Sequence, residues 1–164
     1  MEKRTLTVDF ETAKKWYKSG NEALRSLALE VFPDKNFDLP EVREIINEIL
    51  DNVVLYALTE TQLIQIRALH NRKNDNISSN KLLRVLSIYY NKGWKKTYYN
   101  AGYFISKNPL KEEWTTVEHK SVCYPGIAYF KEVNDAFKAI KILGKTKLED
   151  LYTPNGMTPT FLTR

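Results

Sequence analysis

The side chains with reactive potential in this 164-residue chain are few: two acid pairs, Asp9/Glu11 and Glu112/Glu113, two histidines, His70 and His119, and one cysteine, Cys123. Closely spaced carboxylates can bind a metal or divide acid and base work between them. Asp9 and Glu11, however, stand where the positive end of a helix favours negative charge, and Glu112 and Glu113 fall in a polar turn. His70 lies near a predicted helix C-terminus, where an imidazolium is favourable, and His119 near a strand end. One cysteine and two histidines make neither an internal disulfide nor a zinc-type ligand set, so Cys123 reads as a small apolar residue in or beside a strand. No glycine-rich phosphate loop, nucleophile elbow, His-Glu-x-x-His or calcium loop occurs. The expectation is a protein that is not an enzyme, with no catalytic residues, no metal and no cofactor.

Charge is the stronger signal. Residues 1–60 carry 8 Lys+Arg against 12 Asp+Glu, whereas residues 61–164 carry 17 against 8, so the formal net charge of +5 conceals a polarised chain. Between 61 and 100 the single acid, Asp75, faces Arg67, Arg72, Lys73, Lys81, Arg84, Lys92, Lys95 and Lys96. Such a stretch is a candidate anion-facing surface. Seven of the ten tyrosines lie between 89 and 129, and aromatics on a sheet stack on bases while neighbouring lysines hold phosphates. The candidate nucleic-acid contacts are Arg67, Arg72, Lys73, Lys92, Trp94, Lys95, Lys96 and Tyr98. Arg67, Lys81 and Arg84 can converge only if the helices on either side of the 71–78 loop run antiparallel. Alternation along Tyr98–Ile105 also requires that one aromatic face be core.

The elements that would position these residues follow from periodicity and caps. Leu6, Val8 and Phe10 alternate like a short strand. Glu11–Lys18 reads as helix, and Ser19-Gly20-Asn21-Glu22 as a capping box opening a second one that ends at Phe32-Pro33. After Pro40 the rows Ile45/Ile49/Val53/Ala57 and Ile46/Leu50/Val54 predict the longest helix, with a bend at Thr59, where Thr59 and Gln62 form another capping box. Helices over Glu60–His70 and Asn80–Asn91 flank the polar loop, the second capped by Ser78 or Ser79, with Leu82, Leu83, Leu86, Tyr89 and Tyr90 inward and Gly93 stopping it. Three strands are predicted at about 98–106, 113–119 and 122–130, with Pro125 marking an edge or bulge. Val133, Ala136, Phe137, Ile140 and Leu143 form the stripe of a closing helix that ends at Gly144, and a further helical turn is expected over Lys147–Leu151.

Two segments resemble uncharacterised proteins encoded by bacteriophages and prophages of Bacteroidetes. One runs from Phe10 through Trp16-Tyr17, Ser19-Gly20-Asn21 and Leu24 to Phe32. The other is Tyr89-Tyr-Asn-Lys-Gly93-Trp94-Lys95, with Tyr129-Phe130 and the Ala139–Gly144 helix end. Together they cover under half of the chain. In that group the glycine-tryptophan-lysine turn tends to be followed by proline and a second tryptophan, where this chain has Lys96-Thr97. The resemblance implies a phage or mobile-element origin and assigns no catalytic residue. Small proteins of such origin are virion components, binders of host factors or DNA-handling accessories.

The chain is thus expected to be α+β, a largely helical N-terminal half with a short antiparallel meander and one C-terminal helix. A single domain is expected over 1–152, followed by an extended tail over 153–164. The leading functional expectation is protein binding to a phage or host partner, through Trp94 and Phe161 of the tail. Nucleic-acid binding by the 61–100 surface and the aromatic sheet is the alternative. No apolar run approaches the roughly 20 residues that cross a bilayer, and Met1-Glu2-Lys3-Arg4-Thr5-Leu6 lacks the apolar region of a signal peptide. Host cytoplasm or virion is the expected location, without a membrane partner.

Overall fold

The computed structural model describes residues 7–152. They form two compact units, one up to Pro40 and one from Glu41, where the sequence suggests one domain over 1–152. Residues 153–164, including Phe161, lie outside the described part.

In the first unit α1 (Phe10–Lys18) packs on α2 (Glu22–Val31). Phe10 belongs to α1 and not to a strand: Asp9 caps the helix, its carboxylate accepting from Thr12 N at 2.7 Å, and Glu11 lies in the first turn. Hydrogen bonding to the Thr12 side chain, and then to its backbone N–H, holds the Asp9 carboxyl below its ordinary pKa. The acid pair therefore serves the helix terminus. The Ser19/Glu22 capping box does not form either. Ser19 caps the end of α1 through Trp16 O, and Asn21 caps α2 by accepting from Ala23 N and Leu24 N, because Gly20 (φ 78) turns the chain between them. Buried Ala13 and Ala28 sit beside Phe37, on which Phe10 stacks at 5.2 Å and Tyr17 at 4.9 Å.

The second unit is α+β. It runs α3 (Val42–Asp51), α4 (Glu60–Leu69), a 3-10 turn at Asn74–Asn76, α5 (Ser79–Asn91), β1 (Gly102–Lys107), β2 (Trp114–His119) and α6 (Val133–Tyr152). Val42, Ile45, Ile46 and Ile49 bury one face of α3, as helical spacing requires. The helix ends at Asp51 and does not continue to Ala57. Asn52 turns its side-chain amide back onto Glu48 O at 2.9 Å, the competition with backbone bonding that asparagine favours. The following turns leave Val54 93% exposed, and Tyr56 is buried, donating to Glu48 Oε1 at 2.8 Å. Thr59 and Gln62 make the predicted capping box of α4, and Ser78 caps α5. Lys92 (φ 45) and Gly93 (φ 87) then reverse the chain, a stop for which glycine has the required conformational freedom.

The sheet has two strands, not three. β1 and β2 pair antiparallel with Gly102 opposite His119 and Lys107 opposite Trp114. The expected third strand contributes one bridge, Tyr103 to Phe130, with N···O distances of 2.8 and 2.7 Å. Pro125 has no N–H to donate and Gly126 has φ 84, so the chain before Ile127 cannot extend the ladder. In α6 the buried row is Ala136, Ala139, Leu143, Leu148 and Leu151, while Phe137 points outward. Gly144 (φ 72, ψ 169) leaves helical geometry and ends the first stretch of α6 at a kink, as its place after Leu143 predicts, and a second helical stretch follows it to Tyr152. Phe130, Ile45, Ile49, Ile77, Leu82, Leu86 and Ile105 are the largest fully buried side chains of the core. Among the described residues no helix is long and apolar enough to cross a membrane.

A candidate anion-binding groove

Both α4 and α5 pack against α3, and between them lies a groove of about 790 Å³. The α5 wall is made by Lys81, Arg84, Val85 and Ile88, positions that share one helical face. Gln65, Ile66 and Leu69 of α4 oppose it, with Arg72 just past the helix end. The far end is built by Gly93-Trp94-Lys95-Lys96 and by the Cys123 to Tyr129 segment. Five cations, Arg72, Lys81, Arg84, Lys95 and Lys96, line this space, and among the described residues no carboxylate does.

Four of the five are exposed, and Lys96 is partly buried. Its ammonium donates to Thr97 O and Asn100 O and stands 5.7 Å from the centre of the Tyr129 ring. Lys96 is therefore a fixed charge at the base of the wall, while the other four can move onto a ligand. Trp94 is half-buried, its backbone N–H donating to Asn91 O at 3.0 Å. Asn91 also ties down the opposite segment, donating to Tyr129 O at 2.7 Å and accepting from Lys131 N at 2.9 Å.

Of the residues singled out in the sequence, Arg72, Trp94, Lys95 and Lys96 meet in the groove; Arg67, Lys73, Lys92 and Tyr98 are exposed and do not line it. Arg67 follows Ile66 and is rotated by one residue from the groove-facing positions, and Lys92 is spent on the left-handed cap of α5. Lys81 and Arg84 were legible as charges but not as site residues. The signal for them is their spacing with Val85 and Ile88.

The other candidates lie elsewhere. His119, the last residue of β2, sits behind the groove, with Nδ1 2.9 Å from Tyr129 Oη and its ring 4.4 Å from that of Phe104. Burial, and then the charge of Lys96, push its pKa below the ordinary value. Tyr124 N donates to the same Tyr129 Oη at 3.2 Å. Cys123 is half-buried in the irregular segment, its thiol directed at Lys96 O at 3.6 Å. His70 is exposed at the end of α4, and Glu112 and Glu113 are exposed in the turn between the strands. Among the described residues no group of three or more His, Cys, Asp or Glu is placed to hold a metal ion. A cationic groove whose lining also holds apolar side chains and one tryptophan can hold an extended anion. Comparison of the chain with protein-family models, with curated protein sequences and with solved structures finds no match.

Proposed function

We propose that the protein binds nucleic acid in the groove between α4 and α5, without catalysing a reaction on it. The observation that carries this reading is the convergence of Arg72, Lys81, Arg84, Lys95 and Lys96 on one groove to which no described carboxylate contributes. Like charges repel when brought together, so such a cluster favours a polyanionic ligand whose binding releases counterions. Gln65 on the wall and the apolar side chains of the lining suit a ligand that also presents bases. A DNA-handling accessory is among the roles that the resemblance to phage proteins implies.

The test is fluorescence anisotropy of labelled oligonucleotides with the wild-type protein and with Lys81→Glu/Arg84→Glu. Binding that weakens with salt and is lost in the double variant is the expected result. Absence of binding at micromolar protein in low salt refutes the reading.

Protein binding is a second reading, favoured by a different observation: Tyr99 is 98% exposed and Leu110, in the hairpin turn, 93%. If those side chains serve a partner, Tyr99→Ser and Leu110→Ser abolish co-purification of that partner from the source cells while oligonucleotide affinity stays unchanged. Identical co-purifying proteins for wild type and variants exclude these two residues.

A further inference from the structure

Resting on the nucleic-acid reading, we infer that the ligand is a single strand, seated with a base against Trp94 and its phosphates along the exposed cations of the rim. Size is the first argument. A groove of about 790 Å³ lies within the roughly 300–1,000 Å³ of small-ligand sites, which accommodates a short run of unpaired nucleotides but not a duplex inserted between the helices.

The build of the Trp94 wall is the second. Two successive left-handed residues, Lys92 and Gly93, turn the chain sharply after α5 and deliver Trp94 to the groove. Its far edge then rests on β1 at Gly102. A Cβ there would lie 3.0 Å from Trp94 Cη2 and 2.7 Å from Lys96 Cδ. The absence of a side chain at 102 thus lets the ring and the lysine stem lie against the strand. An aromatic wall held in place before binding, with fixed and mobile cations beside it, matches what a single strand presents: a π-face on every base and a charge at every step. Trp94 is half-buried, unlike the buried Tyr56 and Tyr129 that also line the groove, and a purely electrostatic site would not need its ring.

The experiment compares three labelled probes of equal length, about 12 nucleotides: oligothymidylate, an abasic strand with the same phosphates, and a duplex. Oligothymidylate is expected to bind about 5- to 150-fold tighter than the abasic strand, the range that one base–aromatic stack supplies. Trp94→Ala removes that preference, so that the thymidylate and abasic strands bind alike. Gly102→Ala, which does not need a left-handed backbone, pushes on the Lys96 stem at 2.7 Å and on the ring edge at 3.0 Å and reduces the same preference. Circular dichroism checks that both variants fold. Equal affinity for the thymidylate and abasic strands, or tighter binding of the duplex, overturns this inference while leaving salt-dependent binding in the groove intact. Tighter binding of a poly-glutamate peptide than of any oligonucleotide, or no binding of any probe, overturns both readings.

Discussion

Replacing Arg84 with alanine removes one of the four exposed cations of the groove, the others being Arg72, Lys81 and Lys95. If each neutralises one phosphate of a single strand, log K falls with log salt at a slope of about −2.8 for the wild type and about −2.1 for the variant, since each contact contributes about −0.7. Between roughly 50 and 200 mM salt, that is about a 50-fold loss of affinity for the wild type and about a 20-fold loss for Arg84→Ala. Arg67→Ala is the matched control. Arg67 is an exposed cation on α4 that does not line the groove, so its removal should leave the slope unchanged. Anisotropy titrations at four or more salt concentrations measure all three slopes. Equal slopes for Arg84→Ala and Arg67→Ala would refute the reasoning, because binding would then follow the general positive field and not the groove.

Three further outcomes follow from the second unit. Gly93→Ala forces a side chain into φ 87 with its Cβ 3.2 Å from Leu55 O, and should cost at least about 1–2 kcal/mol, read as a lower urea midpoint at unchanged m-value. Thr59→Ala removes the oxygen that accepts from Gln62 N at 3.2 Å and should cost about 1 kcal/mol, whereas Thr59→Ser should be nearly silent in the same urea titration. Because burial and Lys96 lower the folded-state pKa of His119 below 6.5, the unfolded chain binds the proton more readily. The stability linked to His119 is therefore complete above the unfolded pKa and is lost as pH falls through the folded one. Melting temperatures measured between neutral and mildly acidic pH should drop less steeply for His119→Gln than for the wild type; parallel curves would show that His119 does not carry this linkage.

Local rules were enough for much of the helical part. The Thr59/Gln62 box, the Ser78 cap, the inward row Leu82, Leu83 and Leu86, and the stop at Gly93 depend on neighbours within four residues, and the structure has all of them. The segregation of positive charge beyond residue 60 was equally plain. Local rules failed where two devices competed for the same residues. Ser19 could cap either helix, and tertiary packing of Ala13 on Ala28 brings with it a turn at Gly20 that leaves the N-cap to Asn21. The apolar rows of α3 ran on past Asp51, but Tyr56 gains burial and a bond to Glu48 by folding back, which a continuing helix would forbid.

The groove belongs to tertiary structure for a related reason. A sequence shows that Arg72, Lys81, Arg84, Lys95 and Lys96 are positive, but not that α4 and α5 both seat on α3 and leave a space between them. Nor does it distinguish Arg67 from Arg72, whose directions differ by rotation about a helix and by where that helix ends. The strand pairing was similarly underdetermined: Tyr124 to Phe130 has strand-like composition, yet only Phe130 reaches a ladder position, because Pro125 and Gly126 bend the segment across the end of the groove. Composition and short-range spacing determined which residues form helices and where charge accumulates. Which of those charges share one space depended on contacts between residues tens of positions apart, such as Asn91 with Tyr129 and Ser87 with Tyr129, and those arise only when the helices pack.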